Sequence, residues 1–238
     1  LHDALPICKR ELPGFAGQVQ PPVNGQHVVL TIDMHLQQML EECLKRAYDK
    51  YSPMTKVTSV LVEPSTGSIL AMASEPREQV NKQGDTERRN MVVTDVYEPG
   101  STMKIITLSA ALDQGVVTMD RKFDCHMGEY QEQGGKVIVR DDESLGTLTV
   151  KEILIHSSNI GAYKVAKQLG DERFYDYMKR FGLGSRTGLG LPREAAGILR
   201  SPEKWSGLSL SRLAMGYEVA ATPLQMVMAI SAIANHGA

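Results

Sequence analysis

The sequence predicts an α+β fold, an α/β sandwich with an antiparallel sheet flanked by helices. Three stretches support that expectation. Leu36, Met39, Leu40, Cys43, Leu44, Ala47, Tyr48 and Tyr51 recur at spacings of three and four, the period of a helix with one apolar face. Two β-rich runs, 55–62 and 68–73, flank the turn Glu63-Pro64-Ser65-Thr66-Gly67 and predict a hairpin. From Ser101 the spacing is helical again. Helix, hairpin and helix in succession place helices against an antiparallel sheet.

Taken in order, residues 8–29 are rich in Pro, Gly and Gln and read as a linker into a strand at 27–30. Asp33 is the N-cap of the first helix and Pro53 closes it. After the hairpin, the polar residues 74–90 read as an exposed loop. Glu98-Pro99-Gly100 is a tight turn. Ser101 then opens a helix whose apolar face is Ile105, Ile106, Leu108, Ala111 and Leu112, and Gly115 ends it. Residues 123–146 are irregular, with a short strand at 136–140. Thr149 or a neighbour starts a helix over 150–155. Ser157-Ser158-Asn159 forms a turn before a helix over 160–169, and a further helix covers 171–181. The glycine-rich residues 182–190 stop it, and residues 201–214 hold one or two short helices. Thr222-Pro223-Leu224-Gln225 is a capping box that opens the last helix, which ends near Asn235.

A chain of 238 residues suits one large domain or two small ones. A net charge of −2 gives no reason to expect nucleic acid or an anionic membrane surface. With 5% aromatic residues, a base-stacking platform is disfavoured. Cys8, Cys43 and Cys125 are too scattered for a disulfide framework or a zinc site, and Cys43 falls on the apolar helix face, as a core residue would. No apolar run approaches the roughly 18 residues of a membrane span. The histidines show no metal spacing, and there is no phosphate loop or dinucleotide fingerprint, so no cofactor and no metal are expected.

The chemistry centres on Ser101 and Lys104. They lie three residues apart on one helix face, at the positive end of the helix dipole. That is an arrangement for an activated serine nucleophile. Alone it is a cheap signal, since Ser-x-x-Lys arises about once by chance in a chain this long. A second match, Ser201–Lys204, shows the point: Ser201 reads as an N-cap with Pro202 at the first helical position. Asp141-Asp142-Glu143 reads as a solvated loop rather than a carboxylate dyad. His156 and Ser157 are adjacent, so they do not face each other. The informative addition is Ser157-x-Asn159, 56 residues after Ser101, on a turn between helices.

Ser101-x-x-Lys104 followed by Ser157-x-Asn159 resembles the penicillin-recognising serine transferases. Leu30–Asp33 with Leu36-Gln37, Pro64–Ser74, Arg89-Asn90 and Tyr97–Thr102 resemble the class B penicillin-binding proteins, monofunctional transpeptidases of division and elongation, the division-specific type above all. Thr187-Gly188-x-Gly190-Leu191-Pro192-x-Glu194 and Gly216-Tyr217 with Thr222–Gln225 match further segments of that family. The resemblance covers residues 26–238. It implies a transpeptidase domain there and an upstream pedestal domain ending in residues 1–25, of which 1–7 look like a translated sequencing adapter. The family's third motif, Lys-Thr/Ser-Gly, is expected beyond residue 238, and Arg186-Thr187-Gly188 reads as structural instead. These residues expressed alone are therefore expected to be inactive and poorly folded. Glu218-Val219-Ala220-Ala221 departs from the family's usual Gly and Val, with a local effect expected.

The resemblance implies that Ser101 attacks the D-Ala-D-Ala end of a peptidoglycan stem peptide and is acylated by β-lactams. Lys104 would act on the Ser101 proton, Ser157 would relay a proton to the leaving amine, and Asn159 would bind the substrate amide and also hold Lys104. Implied partners are a lipid-linked glycan polymerase and division or elongation proteins. A membrane anchor upstream would leave the domain on the extracytoplasmic side of the cytoplasmic membrane. A penicillin-sensing receptor and a β-lactamase of the same superfamily are the alternatives.

Overall fold

The computed structural model describes residues 24–51, 56–80, 86–132 and 138–237. Thr31–Ala238 is one compact unit. In the other unit, Leu1–Leu30, the described residues 24–30 are exposed and form no strand, contrary to expectation, because no ladder takes their backbone groups.

Helix α1 (Met34–Tyr51) starts at Asp33, whose carboxylate accepts from the N–H groups of His35 and Leu36. Only Leu44 on it is buried, and Cys43 is exposed rather than core. The contact stripe is narrow: Leu36, Leu40 and Leu44 follow one line of i+4 steps, and Met39 and Cys43 turn away from it. The helix lies along the hairpin of β1 (Val57–Glu63) and β2 (Ser68–Glu75), an antiparallel pair. Gln37 closes the free edge of β2, donating to Met72 O and accepting from Met72 N, both at 2.9 Å. Leu70 is bulged out of register between Val62↔Ile69 and Leu61↔Ala71. The bulge brings Ile69 onto the face of Met72, Val60 and Val62, where α2 (Met91–Thr94) and α8 (Pro223–Ala234) pack.

Residues 74–90 are not all loop. Beyond the end of β2 they form a small hairpin of β3 (Glu78–Val80) and β4 (Thr86–Arg88). Residues 123–146 are likewise more ordered than their glycines suggest. They supply β5 (Lys122–Asp124), β6 (Glu129–Gln131) and β7 (Ile138–Arg140), and β8 (Thr147–Thr149) follows. β5 pairs with β8 and β6 with β7, both antiparallel. Three-residue strands are too short for a period-two pattern to show.

Helix α3 (Met103–Asp113) is the spine of the unit. Met103, Ile106 and Ala110 face one core with α5 (Asn159–Leu169), α6 (Asp171–Arg180), α7 (Ser209–Ala214) and α8. Leu108 and Ala111 face a second core with the short strands and α4 (Val150–Ile155). A helix with apolar residues on all sides must be surrounded. α3 is, and its N-terminus therefore holds a fixed position.

Candidate active site

Ser101 lies in a single 3-10 turn, Gly100–Thr102, that leads directly into α3. Its side chain is exposed, whereas Lys104, one turn along, is only 1% exposed. The Lys104 amine sits 3.1 Å from Ser101 Oγ, as the three-residue spacing predicts.

The second contribution comes from the corner between α4 and α5. Thr149 and Glu152 form a capping box that starts α4. The helix ends in a reverse cap, with Ser157 N–H donating to Leu154 O and Ser158 N–H to Ile153 O. That pattern puts Ser157 at the left-handed position usually taken by glycine, and its φ is 55°. Ser158 then caps α5 by accepting from Gly161 N–H. Gly161 lets the two helices approach, since a Cβ there would lie 2.4 Å from Ile153 Cγ1. The left-handed residue turns both oxygens of Ser157 toward Lys104, whose amine donates to Ser157 Oγ at 2.9 Å and to Ser157 O. The three hydrogens of an ammonium thus have three acceptors: Ser101 Oγ, Ser157 Oγ and Ser157 O. Burial pushes the Lys104 pKa down to about 8, against the opposing pull of the Asp141 and Asp142 carboxylates.

Two expectations need correction. Asn159 does not hold Lys104: its side-chain nitrogen donates to Arg140 O at 2.8 Å, because the α5 N-terminus abuts the end of β7. Asp141 is not simply part of a solvated loop. Its carboxylate accepts from Ser158 Oγ at 2.8 Å, from Asn159 N–H, and from Ile160 N–H at 3.0 Å. A carboxylate at the first turn of a helix satisfies donors that the helix leaves free. Asp141 thus braces the Ser157–Asn159 turn, a role hidden in the sequence by its acidic neighbours Asp142 and Glu143.

A model described as the penicillin binding protein transpeptidase domain matches residues 57–238. The chain belongs to that family. It is 34% identical to the penicillin-binding protein PbpB of Mycolicibacterium smegmatis over 236 residues, covering 95% of this chain and 35% of that protein. It is 33% identical to the probable peptidoglycan D,D-transpeptidase PenA of Neisseria gonorrhoeae over 219 residues, covering 91% and 37%. The crystal structure of penicillin binding protein 3 from Mycobacterium tuberculosis, complexed with aztreonam, matches with a TM-score of 0.81 at 31% identity, over 98% of this chain and 55% of that one. The chain spans about a third of the length of the curated relatives it matches.

In this transpeptidase-family chain the segment before Ser101 is zipped onto residues 216–221. Tyr97 and Ala221 exchange backbone hydrogen bonds, and Gly100 N–H donates to Gly216 O at 3.1 Å. Gly216 has to be glycine, because a Cβ there would lie 2.1 Å from Gly100 O. Midway, Glu218 N–H donates to Glu98 Oε1 at 3.0 Å. The departure at Glu218-Val219-Ala220-Ala221 thus falls on a segment that touches the serine turn. The Arg186-Thr187-Gly188 segment is engaged elsewhere: Glu194, buried, accepts from the Thr187 N–H and hydroxyl and closes its loop. Among the described residues, no cluster of His, Cys, Asp or Glu is arranged to hold a metal.

Proposed function

We propose that these residues are the acylating half-site of a serine D,D-transpeptidase that cross-links peptidoglycan stem peptides. The observation that carries the reading is the shared amine: Lys104 touches both Ser101 Oγ and Ser157 Oγ, and its burial pushes its pKa down to about 8.

A serine hydroxyl needs a base within hydrogen-bond reach. Neutral Lys104 has two N–H groups for the Ser157 oxygens and one lone pair for the Ser101 proton. Ser101 Oγ attacks the carbonyl of the penultimate D-Ala as that proton moves to Lys104. The oxyanion forms beside the Ser101 N–H in the 3-10 turn that leads into α3, where helix N–H groups have no intrahelical acceptor. The C–N bond breaks and the departing amine takes its proton through Ser157. An amine from a second stem peptide then displaces Ser101 from the acyl carbon and the proton path runs in reverse. Asn159, on the same turn, hydrogen-bonds the substrate amide through its carbonyl oxygen in this reading.

β-Lactams acylate the same serine in this reading, and the aztreonam and ampicillin complexes of the Mycobacterium tuberculosis relative support it. The domain works outside the cytoplasmic membrane, anchored by a segment outside these residues, beside a lipid-linked glycan polymerase and division or elongation proteins. Among the described residues no helix is long and apolar enough to cross a membrane. The test uses the longest natural chain containing these residues. Fluorescent penicillin should label it stoichiometrically at Ser101, and the acyl group should pass to an added amine acceptor. Rapid hydrolysis of the acyl-enzyme would mean a β-lactamase, and a persistent one with no transfer would mean a sensor. No labelling would refute the reading.

A further inference from the structure

Two non-glycine residues with left-handed backbone stand at the Ser101 turn: Ser157 at φ 55° and Glu218 at φ 59°. Ser157 is accounted for by its helix cap and by Lys104. Glu218 has no part in the chemistry so far. Side-chain-bearing residues hold this conformation only where their surroundings over-determine it, and such places concentrate at functional sites.

Glu218 is fixed at three points. Its N–H donates to Glu98 Oε1, three residues before Ser101. Its Oε2 accepts from Ser209 Oγ at 2.7 Å, and its Oε1 lies 3.5 Å from Arg212 Nε. Ser209 is buried and, with Arg212, belongs to α7. α7 is itself tied to the serine helix, since Thr107 Oγ1 of α3 lies 3.3 Å from Ala214 O. The serine turn is therefore held to α7 by three routes. One runs through α3 and the Thr107 hydroxyl. A second runs through Gly100 N–H to Gly216 O, with Gly216 N–H donating in turn to Leu213 O of α7 at 3.0 Å. The third runs through the Glu218 side chain, the Glu218 N–H and Glu98.

We propose that Glu218 is a positioning residue for Ser101, its carboxylate latching the 216–221 segment to α7 so that Glu98 and Gly100 hold the serine turn in register. The proposal rests on reading Ser101 as the nucleophile. A glycine at 218 would adopt the same backbone without strain but would have no latch. Position, rather than stability, is what its loss should affect. A small displacement of a nucleophile slows the bond-forming step more than it weakens prior binding.

The experiment measures acylation by fluorescent penicillin in the longest natural chain, separating the saturating rate from the half-saturation concentration. Glu218→Gly should lower the saturating rate about tenfold, with half-saturation within about twofold and an unchanged melting temperature. Glu218→Gln keeps an acceptor for Ser209 and should recover to within about threefold of wild type. Ser209→Ala removes the other end of the latch and should slow acylation as Glu218→Gly does. Acylation of Glu218→Gly at the wild-type rate, or loss in both Glu218 variants in step with melting temperature, would overturn the proposal. Ser101→Ala is the control. An unlabelled wild type, or a labelled Ser101→Ala, overturns the nucleophile reading and this one with it. Correct Ser101 labelling with an indifferent Glu218 overturns this one alone.

Discussion

Lys104 meets Ser157 twice, donating to its hydroxyl at 2.9 Å and to its backbone carbonyl. One left-handed residue at a helix cap presents both acceptors, so the lysine is gripped from a rigid corner rather than by a mobile side chain. The same three contacts serve both charge states. An ammonium donates to all three oxygens, and a neutral amine donates to the two of Ser157 and accepts from Ser101.

Replacing Lys104 with methionine separates this chemistry from the packing. The stem is buried and a methionine of similar length fills the space. Removing a buried charge in favour of an apolar isostere is neutral or stabilising. Ser157 is exposed, so water can take over its hydrogen bonds. Lys104→Met should therefore melt at or above the wild-type temperature and acylate about a thousandfold more slowly. A stable variant that still acylates at the normal rate would remove the lysine from the mechanism.

The pH profile follows from the same amine. With a pKa of about 8 the neutral form grows as pH rises through that value, so acylation should climb and level off above it. Asp141 and Asp142 hold the proton on. Asp142 makes no contact with the serine turn, so Asp142→Asn should shift the profile to lower pH without changing its plateau. The stability sign is fixed too. Burial penalises the charged lysine below about 8, and the penalty fades toward the ordinary value of 10.5. The Lys104 contribution to stability should rise with pH across that window. Thermal melts from pH 7 to 10 on wild type and Lys104→Met would separate it from other groups.

Helices with caps were legible in the sequence. Asp33, Thr149 and Thr222 each accept from the N–H groups expected of an N-cap. The site was legible to the extent that it lies within one helix or one turn. Ser101 and Lys104 are one helical turn apart, and Ser157 and Asn159 share a corner. What joins distant segments was not legible. Asp141 looked like one of three loop acids, because nothing local says which of them meets the α5 N-terminus. Cys43 shares the helical period of Leu36, Leu40 and Leu44, but the helix lies on a narrower stripe than the period allows. The short strands β3 to β8 are set by pairing partners, not by a pattern of their own.

Gly216 is the closest backbone approach behind the serine. Its φ is +84°, and an added Cβ would collide with the oxygen, nitrogen and carbon of Gly100. Those are backbone atoms in a turn that cannot swing aside without moving Ser101. Gly216→Ala combines a disfavoured backbone conformation with overpacking and should destabilise the fold by about 3 kcal/mol. Denaturant melts measure the loss. Residual folded protein should acylate slowly as well, because relief of the clash displaces the turn.

Asp141 offers a graded test of the opposite wall. Asp141→Ala deletes acceptors for Ser158 Oγ and for the N–H groups of Asn159 and Ile160. Hydrogen bonds to a charged group contribute more than neutral ones, so the loss should be about 2–3 kcal/mol. Asp141→Asn keeps one carbonyl oxygen for the helix N–H groups and should lose less. The two variants should differ in chemistry as well as stability. Both remove a negative charge near Lys104, which lowers the pH at which acylation rises. Only the alanine also frees the turn that carries Ser157 and should cut the plateau rate. A plateau that falls equally in both variants would mean that the charge, not the brace, is what the site requires of Asp141.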